Sequence, residues 1–593
     1  MKKIINEIAY IFNKRQKREM ILLLAAIFIG AVFELLGVSL FSPLLSIISE
    51  PEKIDKNIFL STFRDISGLH DTQELFIGVS LAIIVIYIVK NVYLCIMYYY
   101  LYGFIYHNQL KVESRLVDCY MRKPYVYHLD HNTSDMIRNI MLDSERLFQL
   151  ILMILNATSQ VLLSVLLVLY LVVTDPVMTL SIAAILLCSI GLYAKLTRKR
   201  ANEYGRINQE YDGRMHQAIE EALGAVKDIK ILHREKFFVD RFTYGGEQKM
   251  DALIHTNFFG TIPQYLIEMV CIAGMLAAII AKALSGSDMN SLVPELAAFA
   301  VAAFKLLPSV GKIANHLNGI SFLKPSIDII YKDLKETEDM LGLEAGDESD
   351  PPETEGAGSI EIDRLSFAYP NTEHDVLSEV SFTIPVGSSI GLIGTTGSGK
   401  TTMADIILGI LFPKSGAVRF GMMNVHEYPM TWASKLAYIP QSIFLSDDTI
   451  RANIAFGIEP SETDDDKVWK AAEEAQLTGF IKSLPEGLDT RVGERGVRLS
   501  GGQRQRIGIG RALYGDPEFL VLDEATAALD SETEQAVMEA IDSMHGRKTM
   551  LIIAHRLTTI RNCDHIFEVK DGKVLEVERS EFEKALKEQS SDE

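Results

Sequence analysis

Over roughly the first 330 residues, apolar side chains come in long blocks separated by charged stretches. Beyond about residue 359 the blocks shorten to the length of strands and single helices, with Gly, Asp and Ser between them. A helix needs about 20 mostly apolar residues to cross a bilayer. Six blocks meet that, at roughly 21–48, 75–106, 148–174, 177–196, 258–283 and 291–318. Only Asp175-Pro176 divides the third from the fourth, and only SGSDMNS divides the fifth from the sixth, so each pair predicts a tight hairpin on one side. The long segments after the second and fourth blocks carry basic residues from Lys111 to Arg138 and from Lys195 to Arg200. Lys and Arg near span ends mark the cytoplasmic side. The pattern predicts a multi-pass membrane protein with both termini inside. Helical patterning runs through both long segments, so the helices should extend beyond the bilayer, with the stretches near 131–145 and 218–234 at their tips.

Between the first two spans, DKNIFLSTFRDISGL (55–69) sets Phe59, Phe63 and Ile66 at i, i+4 and i+7. That is an amphipathic helix, either lying on the outer membrane surface or packed on the span ends. The first block is too long for a signal h-region and has no small-residue cleavage site, so it reads as a span. An acidic stretch, ETEDMLGLEAGDESDPPETEGAG (336–358), lacks periodicity and reads as linker. The expected division is a membrane α-helical domain of six spans over 1–330, a linker over 331–358 and an α/β P-loop domain over 359–593.

The last part carries the chemistry. GLIGTTGSGKTT (391–402) holds G-x-x-x-x-G-K-[ST], Gly394 to Thr401, between the strand-like SSIGLI and the helix-like TMADIILGIL. In that context the backbone of Gly394, Thr395, Thr396, Gly397, Ser398 and Gly399 wraps phosphates at a helix N-terminus. Lys400 reaches the β- and γ-phosphates, and Thr401 holds Mg²⁺ beside Thr402. FLVLDE (519–524) is an apolar strand ending in two carboxylates: Asp523 suits the Mg²⁺ shell and Glu524 the polarisation of an attacking water. ATP and Mg²⁺ are therefore the expected cofactors.

LSGGQ (499–503), directly before the helical RQRIGIGRAL, is the most specific motif in the chain. With it the sequence resembles the ATP-binding-cassette superfamily along its whole length, in the order of six spans and one cassette found in type IV exporters. The resemblance implies roles for further residues. Tyr369 in SFAYP stacks on adenine; Gln441 in YIPQ contacts Mg²⁺; Glu494 in GERG touches the coupling helices; Asp530 in ATAALD forms the D-loop; His555 in IIAHR meets the γ-phosphate. Ser500, Gly501, Gly502 and Gln503 of one cassette complete the P-loop site of another. Ala527 departs from the serine frequent in the family. One intact cassette per chain implies a homodimer.

Charge and composition narrow the partners. The chain has 593 residues, 48% hydrophobic, and a formal charge of −20, which argues against nucleic acid as a partner, since phosphate backbones attract basic surfaces. Five scattered cysteines make neither a zinc pattern nor a disulfide framework. Lys305 and Lys312 in the sixth span, seven residues apart on one helix face, and Lys90 in the second, are intramembrane cations. Such residues default to functional candidates, and together they suit an anionic group such as a pyrophosphate. Pairing with Glu34 and Glu268, or snorkelling, is the structural alternative. Among exporters the chain looks most like bacterial lipid-linked oligosaccharide flippases, which have pathway arginines where these lysines fall. Gln264 stands where that group has a fifth-span cation. The resemblance implies an ATP-driven flippase for a polyprenyl-pyrophosphate glycan. A broad lipid or drug exporter and an ATP-gated channel are the rival classes.

Overall fold

The computed structural model describes residues 2–41, 43, 44, 47, 58–69, 71–174, 176–284, 289–344, 358–370, 372, 374–493, 496–524, 531–554 and 556–592. The chain forms two compact units: residues 1–123 with 131–341, and 124–130 with 342–593.

The first unit is helical. Its elements are α1 (Lys2–Ile11), α2 (Lys14–Ser39), α3 (Ile58–Ser67) and α4 (Thr72–Arg122); α5 (Tyr125–Asp130) belongs to the second unit. Then come α6 (Thr133–Arg138), a π turn (Asn139–Asp143), α7 (Ser144–Thr174), α8 (Pro176–Gly224), α9 (Val226–Leu232), α10 (Glu235–Leu284) and α11 (Met289–Glu344). The six predicted blocks fall on α2, α4, α7, α8, α10 and α11. Among the described residues, the helical stretches Lys14–Ser39, Thr72–Arg122 and Thr133–Val173 are long and apolar enough to cross a membrane.

Helix boundaries differ from the hydropathy reading for local reasons. α2 begins at Lys14, before the apolar block, because Asn13 and Gln16 form a capping box: Gln16 N donates to Asn13 Oδ1 at 2.9 Å and Asn13 N to Gln16 Oε1 at 2.8 Å. The basic flank therefore rides on the first turn of the helix. α2 and α4 approach closely at glycines: a Cβ on Gly30 would lie 3.1 Å from Leu94, and one on Gly37 would lie 3.3 Å from Tyr87. Small residues permit such packing where no hydrophobic drive favours it. α3 packs on the ends of the neighbouring spans through Leu60 and Phe63, which meet Leu40, Leu75 and Val79, while Ile66 points outward.

At the other end, α11 continues to Glu344, through the first part of the acidic stretch expected as linker. Part of that stretch is tied to neighbouring helices. Thr337 is buried, Tyr10 Oη donates to Glu338 at 2.5 Å, and Arg115 pairs with Glu338.

The expected inner tip near 131–145 is also corrected. α4 stops at Arg122, and Lys123 takes extended backbone (ψ 143°) before Pro124, the conformation a residue preceding proline prefers. The following α5 is the segment assigned to the second unit, where Val126 packs against the core. Residues 131–145 return into the first unit as α6, the π turn and the start of α7. The stretch at 218–234 turns through α9, closed by His233 in the left-handed region (φ 53°).

The second unit carries two sheets. β1 (Ile360–Phe367), β2 (Leu377–Ile384), β4 (Ser415–Phe420) and β5 (Met423–Asn424) form an antiparallel sheet in the order β2-β1-β4-β5. β3 (Ser389–Ile393), β6 (Leu436–Ile439), β7 (Phe519–Asp523), β8 (Thr549–Ile553), β9 (His565–Lys570) and β10 (Lys573–Glu576) form the other, in the order β10-β9-β3-β8-β7-β6. β6, β7, β8, β3 and β9 run parallel. β7 is buried at all five positions, as a central parallel strand covered on both faces must be. Its alternate residues divide the core. Phe519 and Val521 face the antiparallel sheet and the helix Lys400–Ile407, whereas Leu520 and Leu522 face the helix Gly501–Leu513.

Candidate functional site

The site gathers at the C-terminal ends of β3, β6 and β7. β3 leads into a loop whose backbone only glycine allows in places. Gly394 has φ 148°, and a Cβ there would lie 2.5 Å from the Val569 carbonyl oxygen. Gly399, at φ 106°, caps the helix Lys400–Ile407. Thr395, Thr396 and Gly397 are exposed at the loop's outer edge. Ser398 Oγ is buried and makes no hydrogen bond among the described residues. A glycine cradle at a helix N-terminus with an unsatisfied hydroxyl facing in fits a phosphate chain.

Lys400 is 5% exposed and donates to the carbonyl oxygens of Gly394 (2.8 Å) and Thr395 (3.1 Å). These oxygens stand in for the phosphate oxygens that an ammonium in this place binds. Burial holds the Lys400 pKa below its ordinary value, while the carboxylates of Glu524 and Asp523 push it the other way. Both carboxylates of the β7 end are thus close enough to act on the P-loop lysine.

Asp523 ends β7, almost buried at 7% exposure, and accepts from Tyr438 Oη at 3.4 Å. Glu524 follows in left-handed backbone (φ 48°), with its N–H donating to the Ile553 carbonyl at 2.9 Å. That bend turns its side chain to Gln441, whose Nε2 donates to Glu524 Oε2 at 2.6 Å. Thr401 presents an exposed side chain in the first helical turn. Thr401, Gln441 and Asp523 supply a hydroxyl, an amide oxygen and a carboxylate, the hard oxygen set Mg²⁺ takes. Tyr369 is fixed from two sides. Its hydroxyl lies 3.0 Å from Thr402 Oγ1, and its ring stands edge-on to Phe367 with centroids 5.0 Å apart.

The signature residues are placed elsewhere. Ser500 is the N-cap of the helix Gly501–Leu513: Gln503 N donates to Ser500 Oγ at 3.2 Å and Ser500 N to Gln503 Oε1 at 2.9 Å. Gly501 is exposed and Gly502 buried. This helix lies over the core on the opposite face of the parallel sheet from Lys400–Ile407. His555, Asp530, Ala527 and Glu494 lie outside the described residues.

Three residues around Asp523 were not singled out from sequence. Asp405 lies four residues after Thr401, hence on the same helix face. It is 8% exposed, and burial together with the Asp523 charge raises its pKa to about 6. Tyr438 has its pKa raised by burial and by Asp523. Tyr125 of α5 has its pKa raised by burial and by Asp405 and Tyr369. The i, i+4 spacing was a usable signal for Asp405; no local pattern pointed to Tyr125.

In the helical unit, Lys90 is 3% exposed. Its Nζ lies 3.3 Å from Glu34 Oε2 and 4.5 Å from the centroid of the Tyr87 ring. Lys312 is exposed on α11, and the side chains of Lys305 and Gln264 lie outside the described ones.

Comparisons with known proteins match separate stretches of the chain. A family model described as ABC transporter matches residues 377–527, and one described as ABC transporter transmembrane region matches residues 20–288. An ATP-dependent lipid A-core flippase of Burkholderia orbicola (strain AU 1054) is 32% identical over 404 residues, 67% of this chain and 65% of that protein, just under two thirds of its length. One of Cupriavidus metallidurans is 28% identical over 476 residues, 79% of this chain and 78% of that protein. A solved bacterial Atm1-family ABC exporter with ATP bound matches with a TM-score of 0.71 at 20% identity, over 95% of both chains. At that identity the likeness is one of fold. With a transmembrane region of apolar helices followed by a P-loop domain, each matched by its own family model, the chain belongs to the ABC transporters, in the arrangement of the exporters.

Proposed function

We propose that this protein is an ATP-driven flippase that moves an anionic glycolipid from the inner to the outer leaflet of the inner membrane, working as a homodimer with both termini in the cytoplasm. The observation that carries the ATPase half is the junction of Gln441, Glu524, Asp523 and Lys400 at the strand ends. ATP bound there supplies a phosphoanhydride whose hydrolysis releases the driving energy. Lys400 and the P-loop amides would hold the phosphates, and Asp523, Thr401 and Gln441 would be the oxygen ligands for Mg²⁺. Glu524 takes the proton of the attacking water, oriented by the Gln441 amide. Two chains are needed because the sheet separates Ser500–Gln503 from the P-loop of the same cassette. A second copy, facing the first, brings its signature helix to that loop.

The substrate half rests on the similar lipid A-core flippases, and on Lys90, Lys305 and Lys312 as cations for a phosphate or pyrophosphate head group. A lipid A-core glycolipid and a polyprenyl-pyrophosphate glycan share that chemistry; the resemblance to lipid-linked oligosaccharide flippases is what favours the latter. A channel has no need of Glu524 set for turnover. The test is ATPase activity of the protein in nanodiscs with a panel of anionic glycolipids, neutral glycolipids and apolar drugs. Stimulation by the anionic glycolipids alone is the expected result. Stimulation by the drugs alone would replace the reading with a broad exporter.

A further inference from the structure

The chain passes between its two compact units three times: between Lys123 and Pro124, between Asp130 and His131, and between Leu341 and Gly342. Inside the first unit, residues flanking all three passages meet in one buried polar cluster. Tyr120 and Lys123 come from the end of α4, Asn139 from the π turn, and Asp333 and Thr337 from the last turns of α11.

Asp333 is the hub. Tyr120 Oη donates to its carboxylate. Asn139 Nδ2 donates to the same carboxylate oxygen at 3.2 Å and to Tyr120 Oη at 3.0 Å. Lys123 Nζ lies 4.0 Å from the other carboxylate oxygen and 5.5 Å from the centroid of the Tyr120 ring. Thr337 Oγ1 donates to the Asp333 carbonyl at 3.0 Å. Tyr120, Lys123, Asn139, Asp333 and Thr337 are all buried.

A carboxylate taken out of water is costly unless its oxygens are partnered. Apolar residues of similar volume hold helices together at least as well as a buried ionic group. What a polar hub adds is direction: each bond holds only in one geometry, so a satisfied network is rigid. The π turn points the same way, since such turns recur at functional sites.

We propose that Asp333 is a positioning residue for energy coupling. Through Tyr120, Lys123 and Asn139 it ties the three passages into one joint, so that a displacement of the 124–130 segment is passed to the foot of α11. This rests on the transport reading above, because it assigns the joint to the ATP-driven cycle.

The test uses the full chain in proteoliposomes. Tyr120→Phe keeps the ring and removes only the hydroxyl that bridges Asp333 and Asn139; Asp333→Asn removes the charge. The readouts are the thermal midpoint, basal ATPase activity, and lipid moved per ATP hydrolysed. Loss of one hydrogen bond to a charged group corresponds to about tenfold. Tyr120→Phe is therefore expected to keep basal turnover and to lower lipid moved per ATP by about that factor. An unchanged ratio overturns the proposal, and so does a parallel fall of hydrolysis and transport, which is the mark of a structural role. If Asp333→Asn does not fold, Tyr120→Phe carries the test. A second readout does not depend on transport: the thiol reactivity of Lys332→Cys, an exposed position on α11, with and without ATP and vanadate, in a background without the other native cysteines. Cys119 is kept in that background, because it is buried with its Sγ 2.7 Å from Thr337 Oγ1 and 3.5 Å from the Asp333 carbonyl oxygen. The joint predicts a nucleotide-dependent change that Tyr120→Phe abolishes; the same change in both overturns it. A wild type that moves no lipid yet shows this change defeats the transport reading and leaves the joint standing.

Discussion

Replacing Lys90 with Gln tests what a cation does inside the membrane unit. The Lys90 side chain is 4% exposed and that of Glu34 is 18% exposed, with 3.3 Å between the charged atoms. At that separation the attraction is about 5 kcal/mol for an effective dielectric of about 20, and much of it offsets desolvation of the two ions. The pair as a whole is therefore worth little against a neutral pair, whereas breaking it from one side costs about 3–5 kcal/mol. Lys90→Gln takes one ammonium from the Glu34 carboxylate and is expected to lose up to that amount. Glu34→Gln should lose less, because the Tyr87 ring still holds the ammonium by about 1–2 kcal/mol. The double variant, neutral on both sides, should recover most of the loss. The assay is the thermal midpoint of the three variants and the wild type in one detergent, with transport measured in parallel. The expected order of stability is wild type close to the double variant, then Glu34→Gln, then Lys90→Gln. A double variant as unstable as the two single losses added together would refute the pair. A stable double variant with impaired transport would assign Lys90 to the head group as well; one with full transport would leave it a structural ion pair.

Three further outcomes follow from the cassette. Glu524→Gln keeps the hydrogen-bonding shape but not the base, so ATP binding by a fluorescent analogue should persist while turnover falls about 10²–10³-fold; wild-type turnover would refute the assignment. Gly394→Ala forces a left-handed alanine against the Val569 carbonyl, at about 1–3 kcal/mol, and nucleotide affinity should drop with the P-loop's shape; unchanged affinity would contradict the cradle. Asp405, with its pKa raised to about 6 by burial and then by Asp523, favours the folded state only while protonated. Its contribution is present below about pH 4 and is lost as the pH rises through about 6. Without nucleotide, Asp405→Asn should therefore stabilise the fold at pH 7–8 by about 1–2 kcal/mol after solvent screening, seen as a raised thermal midpoint, and leave the midpoint unchanged at pH 4. A difference of equal size at both pH values would rule out titration as the cause.

The cassette was largely legible because its chemistry is linear: the P-loop, the strand ending in Asp523 and Glu524, and LSGGQ each place their residues within a few positions of one another. The six long helices were legible for the same reason, since burial in lipid needs an unbroken apolar run. What the sequence hid was tertiary. Glu34 was one of two carboxylates open to Lys90, and no spacing chooses between partners 56 residues apart. The break after Lys123 was signalled by Pro124, yet helical periodicity on both sides drew the expected tip to 131–145. The acidic stretch at 336–344 read as linker because its charges show no stripe, whereas Tyr10 and Arg115 hold Glu338 in the helix. Asp333, Tyr120 and Asn139 come from three separate elements, and only the fold gathers them.

The central claim is that hydrolysis at Glu524 drives an anionic glycolipid across the membrane. The direct measurement places a fluorescent polyprenyl-pyrophosphate glycan and a lipid A-core glycolipid in proteoliposomes and follows their access to an impermeant quencher. Wild-type protein with ATP and Mg²⁺ is expected to move one or both, and the Glu524→Gln variant neither, with a neutral glycolipid left in place by both proteins. Equal movement of the neutral lipid, or movement by Glu524→Gln at the wild-type rate, would contradict the account.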